Sequence, residues 1–284
     1  MTFFLKKVLQ IDKRWYRVNL LGCIPNRKFM KGKIMKKTLF AVALLASSSA
    51  FAMDVSNPFY VPMKGDFLSD TNVDYVNLEH GNVESAVLSE TLSYGVTRNF
   101  SVNATVEDTW LFDIPGVTGH DRYDNPAWGV GMKYNLVDCC KTNWKVQLGA
   151  DYEQGGVDHH DKEFSGYVKT GYQLGSLLPY VTLTGYKPVG KYESDPGLAV
   201  RMAADLAFSK KVNLDFGATY DWAGAKESWK NGSTKHESEW SLDTTLYYVF
   251  SDCMAVGLKG SYVLDAKPYN YDAYSVGVNF KVAF

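Results

Sequence analysis

Several groupings of reactive side chains stand out along the 284-residue chain, and each suggests a chemistry. His236, Glu237 and Ser238 place a base, an acid and a hydroxyl in one run, the ingredients of nucleophilic acyl transfer. His159 and His160, flanked by Asp158 and Asp161, carry metal-ligating atoms. Asp151 and Glu153 offer two carboxylates, and Cys139, Cys140 and Cys253 offer thiols. None of these groupings has the partners its chemistry requires. In an extended chain His236 and Ser238 project the same way, but no oxyanion donor or orienting group is identifiable near them. Adjacent histidines in an extended loop seldom point at one ion, so a solvated loop is the simpler reading. Asp151 and Glu153 follow a strand alternation with Tyr152 between them. No catalytic residue, metal site or cofactor is expected.

The elements that must carry these residues are read from composition and period. Aromatic residues make up 14% of the chain, including 19 Tyr and 7 Trp, beside 24 Gly. Beyond residue 53 no stretch approaches the roughly 18 to 20 apolar residues of a membrane helix, so any bilayer crossing must use strands. The formal charge of -1 is unevenly spread: residues 1–34 hold nine Lys or Arg against Asp12 alone, whereas residues 53–284 hold 19 basic against 30 acidic residues. An acidic body argues against nucleic acid as a partner, because phosphate binding needs clustered cations.

From Met35 the run MKKTLFAVALLASSSAFA has a cationic start, an apolar stretch from Leu39 to Ala46 and small residues ending Ala50-Phe51-Ala52. This is the plan of a signal peptide over 35–52, cleaved after Ala52, with an apolar run too short to span as a mature helix. Residues 1–34 lie upstream of a complete signal and read as a start-site overcall or a long leader.

After Met53 the chain alternates apolar and polar residues in segments separated by turn-rich breaks. Twelve strands are expected, at about 67–79, 83–97, 100–112, 126–137, 144–155, 164–175, 179–190, 198–209, 212–224, 240–251, 255–266 and 271–284. Val212, Leu214, Phe216, Ala218, Tyr220 and Trp222 share one face, while Asn213, Asp215, Gly217, Thr219 and Asp221 share the other. A soluble sandwich would alternate too. Two regularities favour the membrane. Short breaks (97–99, 138–143, 176–178, 210–211, 252–254) alternate with mostly longer ones (113–125, 156–163, 191–197, 225–239), apart from a tight first hairpin at 80–82. That is the plan of short periplasmic turns and long external loops, with both termini in the periplasm. The apolar faces also place Trp110, Phe112, Trp128, Tyr152, Phe164, Trp222, Trp240 and Tyr274 near one rim, and Tyr94, Phe100, Tyr134, Trp144, Tyr172, Phe208, Phe250 and Phe284 near the other. Two aromatic girdles mark two membrane interfaces. The expectation is an all-β, closed antiparallel up-and-down transmembrane barrel over 67–284.

Two strands fit poorly. Glu90 falls on the outward register of Ala86, Leu88, Leu92 and Tyr94, where a carboxylate is unfavourable, so a bulge or register shift is expected there. In 179–190 both parities are acceptable, and the face is left open.

The terminal run YSVGVNFKVAF, ending in Phe284, resembles the last-strand signal of bacterial outer-membrane proteins. That resemblance implies recognition of Phe284 by the barrel-assembly machinery and insertion among outer-membrane lipid. The hairpin ETLSYGVTRNFSVNATV resembles barrels grouped as transporters in aromatic-compound degradation. The parity of His236 and Ser238 is also that of the twelve-stranded outer-membrane phospholipase A family. Here, however, the Asn-Gly-Arg that follows the family's nucleophile is replaced by Glu239, Trp240 and Ser241, so lipid hydrolysis is the remote reading.

A twelve-stranded barrel is intermediate in width, and function depends on what fills it. The inward register offers Glu107, Lys133, Lys145, Asp151, Lys169, Arg201, Asp205, Asp215, Asp243, Lys259 and Lys281. Both signs occur, so these residues either pair into a solvated network or line a pore of weak charge preference. Residues 53–66, on the periplasmic side, form either a loose tether or a plug in which Phe59 and Tyr60 partly occlude the lumen. The cysteines sit at periplasmic turns, with Cys253 on the far side of the ring from Cys139 and Cys140, and no structural disulfide is expected. The leading expectation is a channel for small polar or weakly aromatic solutes. The competing one is a structural or adhesive barrel whose lumen stays shut and whose external loops meet a partner.

Overall fold

The computed structural model describes residues 55–78, 83–113, 126–137, 142–155, 162–189, 196–223, 237–267 and 271–284. The signal segment, Cys139, Cys140, His159, His160, His236 and the first hairpin at 80–82 lie outside them. Twelve strands run in chain order: β1 Phe67–Leu78, β2 Val83–Gly95, β3 Phe100–Asp113, β4 Ala127–Asn135, β5 Trp144–Gln154, β6 Lys162–Tyr172, β7 Leu177–Val189, β8 Gly197–Ser209, β9 Val212–Ala223, β10 Glu237–Ser251, β11 Met254–Lys267 and β12 Tyr271–Ala283. Each pairs antiparallel with its sequence neighbours, and β1 pairs with β12 to close the ring. Closure matters because hydrocarbon offers no partner to an exposed backbone edge. At the seam the Phe67 amide donates to the Phe284 carbonyl at 2.7 Å and the Phe284 amide donates back at 2.9 Å. Their rings stack at 5.7 Å.

The expected and observed strands agree to within three residues at every end. The differences of three residues are at β6 and β10. β6 begins at Lys162 and ends at Tyr172, because Leu174 and Leu177 form a tight bridge that starts the next strand early. β10 begins at Glu237, so Ser238 and Glu239 are strand rather than loop.

Burial is inverted relative to a soluble protein. On the outer face Leu258 is 65% exposed and Phe208 61%, whereas on the inner face Gln147 is 1% and Asn279 2% exposed. An apolar outside around a polar inside is stable only when the outer solvent is lipid. Ring contacts gather at both strand ends. At the end bearing the short turns, Phe67 meets Tyr94, Phe100 meets Tyr134 and Trp144 meets Tyr172. At the loop end, Trp128 meets Tyr152, Tyr152 meets Phe164 and Tyr220 meets Trp240.

β7 takes the parity its neighbours impose. Val181 lies opposite Thr170 and Met202, and Leu183 opposite Val168 and Val200, so odd residues face out while Tyr180, Thr182, Thr184 and Tyr186 face in. The shift expected around Glu90 is not present. Glu90 pairs in unbroken register with Thr71 and Val106, and the β2–β3 irregularity lies at Glu84/Ser85. The outward carboxylate is accommodated by chemistry instead of backbone distortion: Ser69 Oγ donates to Glu90 Oε1 at 2.6 Å and the Thr71 hydroxyl donates to Oε2. Two neighbouring hydroxyls replace the water that lipid cannot supply.

Candidate functional site

The site is the lumen, and it divides into a wall network and an inserted segment. On the β7–β10 side, the Arg201 guanidinium spans Asp215 at 2.6 Å and Asp243 at 2.5 Å. Arg201 also donates to the Tyr180 hydroxyl, which itself donates to Asp215 Oδ2 at 2.6 Å. One planar cation with several fixed donors can hold two carboxylates on different strands. Asp205 is buried on β8, opposite Asp215. Across the seam strands, Lys259 reaches Asp74 at 2.9 Å and Asn72 at 3.0 Å, and Lys281 reaches Asp70 at 3.7 Å. Asn279 donates to Asp70 and Asn72. On β4 and β5, Asp151 lies across Gly131 beside Asn103, with Lys133 next along the inner face of β4. Glu107 on β3 and Lys145 on β5 also hold inward positions, opposite Ser89 and Gly171.

All eleven expected lumen residues therefore fall on inner registers, but they do not form one cluster. Sequence reasoning missed Asp70, Asn72 and Asp74, which alternate on β1 by the same signal, and Tyr180, whose strand carried no decisive parity. Ser238 faces outward on β10 opposite Trp222, away from the lumen.

Residues 55–66 form a strap inside the end of the barrel that bears the short turns. Val55, Phe59 and Val61 are buried, Phe59 to 5% exposure. Two apolar clusters seat them. Val55 packs with Leu68, Tyr247, Val249, Ala255 and Ala283, with Tyr60 and Cys253 alongside. Phe59 packs with Leu178, Tyr180 and Ala203. Burial pushes the Tyr60 phenol up to about 12, with Asp66 and Cys253 adding to it. Polar contacts fix the segment: Asn213 Nδ2 donates to the side-chain Ser56 Oγ at 2.5 Å, Lys169 Nζ to the Pro58 carbonyl at 3.0 Å, and Asn135 Nδ2 and Gln147 Nε2 to the Phe59 carbonyl at 3.2 and 3.4 Å. The Lys169 ammonium also lies 5.5 Å from the centroid of the Phe59 ring, and 5.8 Å from those of Tyr167 and Tyr180. Asn135, Gln147, Tyr167 and Asn213 were not singled out in the sequence, because amides and phenols on an inner strand face resemble any solvated wall.

Two glycines make the strap fit. Gly65, at φ 91°, takes the left-handed turn that leads the strap into β1. Gly95 lies against the strap backbone, where a methyl group would overlap the Met63 carbonyl. Gly65 and Asp66 then exchange backbone hydrogen bonds with Gly95 at 2.8 and 2.9 Å.

A closed ring of twelve strands, apolar outside and polar inside, defines a transmembrane β-barrel. Solved structures share this fold. An outer membrane channel from Pseudomonas putida F1 superposes with a TM-score of 0.61 at 10% identity, over 82% of this chain and 100% of that one. The NanC porin superposes with a TM-score of 0.52 at 12% identity, over 74% of this chain and 98% of that one. The sequence matches no family model and no curated protein. The fold is thus that of bacterial outer-membrane β-barrels.

Proposed function

We propose that this chain is a channel of a bacterial outer membrane for passive or facilitated passage of small polar or weakly aromatic solutes. Export uses the signal peptide over residues 35–52, cleaved after Ala52, and insertion follows recognition of the strand ending at Phe284 by the barrel-assembly machinery. The observation that carries this reading is the segment seated at the end of the barrel that bears the short turns. That segment, Val55–Asp66, is held by side chains of the polar lining. A polar lumen with a removable obstruction has the parts of a gated pore. The solved channels of the same fold support the class, and Phe59 and Tyr60 supply the occlusion. The test is single-channel conductance in a planar bilayer, with a panel of small solutes, for the mature chain and for a variant lacking residues 54–64. Conductance that rises on deletion supports a plugged channel; unchanged conductance removes the plug.

A structural or adhesive barrel with a shut lumen is the second reading. It is favoured by the Arg201 bridge to Asp215 and Asp243, which spans wall strands without any solute. Absence of conductance in both proteins would select it.

A further inference from the structure

Lys169 differs from three of the lumen cations. Arg201, Lys259 and Lys281 each have an aspartate within ion-pair distance. Among the described residues Lys169 has none; its contacts are the Pro58 carbonyl and three aromatic rings. The charged groups in range of it are Lys133, Arg201 and Lys281, with Asp215 opposing them. A half-buried ammonium with no carboxylate beside it is best matched by an anionic oxygen, and the strap gives it only a neutral carbonyl.

The way the strap fills this place is specific. The Phe59 ring stands edge-on to Tyr180 at 5.8 Å and 77°, in a pocket completed by Leu178 and Ala203. Two carbon atoms away, through its own Cβ and Cα, its carbonyl oxygen takes hydrogen bonds from Asn135 and Gln147. Gln147 is held for this by donating also to Asn135 Oδ1 at 2.9 Å and by accepting from the Tyr167 hydroxyl at 3.2 Å. The oxygen held by Lys169 belongs to the adjacent peptide. An aromatic ring, a two-carbon spacer and an oxygen group facing two amide donors and a cation are together the outline of an arylpropionate.

We propose that the pocket formed by Asn135, Gln147, Lys169, Leu178 and Tyr180 is a binding site for small aryl carboxylates, with Pro58–Phe59 of the strap as its tethered occupant. The inference rests on the channel reading for its purpose: a solute that competes for this pocket would displace the obstruction in its own path. A free carboxylate gives Lys169 a full charge partner, which the strap carbonyl does not. The ring keeps the same edge-on and cation-facing contacts that Phe59 makes.

The probe is 3-phenylpropionate, titrated calorimetrically into detergent-purified protein whose folding is verified by heat-modifiable migration. The variant lacking residues 55–62 should bind it about tenfold or more tightly than the mature chain, since the tethered competitor is gone. Lys169→Met in the deletion background should lower affinity by about tenfold or more. The uncharged 3-phenylpropanol and the non-aromatic pentanoate should both bind more weakly. No binding by the folded deletion variant, indifference to Lys169→Met, or equal binding of 3-phenylpropanol would each overturn the proposal. Single-channel recording separates it from the channel reading. A deletion variant that conducts but does not bind refutes the site alone, and one that binds but does not conduct refutes the channel alone.

Discussion

Substituting Ser69→Ala and Thr71→Val while keeping Glu90 isolates the energetics of a carboxylate on the lipid face. Glu90 sits near the middle of β2, among outward Val73, Leu88, Leu92 and Val106, and its two oxygens each take one β1 hydroxyl. A hydrogen bond to a charged acceptor is worth about 1.5–3 kcal/mol. Because the two share one acceptor group they do not add fully, so the double substitution should destabilise the barrel by about 2–4 kcal/mol. Adding Glu90→Leu removes the charge that needed them and places an apolar side chain against hydrocarbon. The triple variant should therefore recover native stability or exceed it by about 1–2 kcal/mol, since a charge on this face is itself unfavourable. The assay is guanidinium unfolding from phospholipid vesicles, followed by tryptophan emission, with all variants at one pH. A double variant within about 0.5 kcal/mol of native would refute the reasoning. So would a triple variant less stable than the double, and either result would mean that the outer face of β1 and β2 does not look into lipid.

Three further outcomes are expected. Arg201→Met leaves Asp215 and Asp243 without their shared cation, so the reversal potential in a salt gradient should move toward cation preference, and stability should fall by about 2–3 kcal/mol at these partly exposed positions. Gly95→Val places bulk where the Met63 carbonyl lies, so the strap should leave its seat; faster proteolysis of residues 55–66 with an intact barrel would show it, and an unchanged rate would count against the fit described. Phe284→Ala removes the stack on Phe67 at the closing seam, and the folded yield in the outer membrane should drop severalfold while refolding into detergent micelles proceeds.

The barrel was legible because lipid imposes one rule at every second position of every strand. Runs such as Tyr274, Val276, Val278, Phe280 and Val282 carry that rule without help from neighbours. β7 did not, since Tyr180, Thr182, Thr184 and Tyr186 suit either face, and only pairing with β6 and β8 decides between them. At Glu90 strand parity points outward, and the expected bulge or register shift, which would have taken the carboxylate off the lipid face, is absent. The remedy lay one strand away in Ser69 and Thr71, a cross-strand relation that no local pattern displays. The charged lumen positions followed from parity, but their partners did not, because Arg201 and Asp243 meet across 42 residues. The strap was the least legible part. Its aromatic residues drew notice, yet its seat depends on Asn135 and Asn213, 76 and 157 residues further along the chain.

The strap touches Gly95 on β2, Asn135 on β4, Gln147 on β5, Lys169 on β6, Tyr180 on β7, Asn213 on β9 and the ends of β10 to β12. No subset of early strands recreates that seat, so a segment that precedes every strand in sequence is the last to find its place. An environment-sensitive dye on residue 57 should stay dim through sheet growth and brighten only when the final strand joins the first, giving a clock for ring completion.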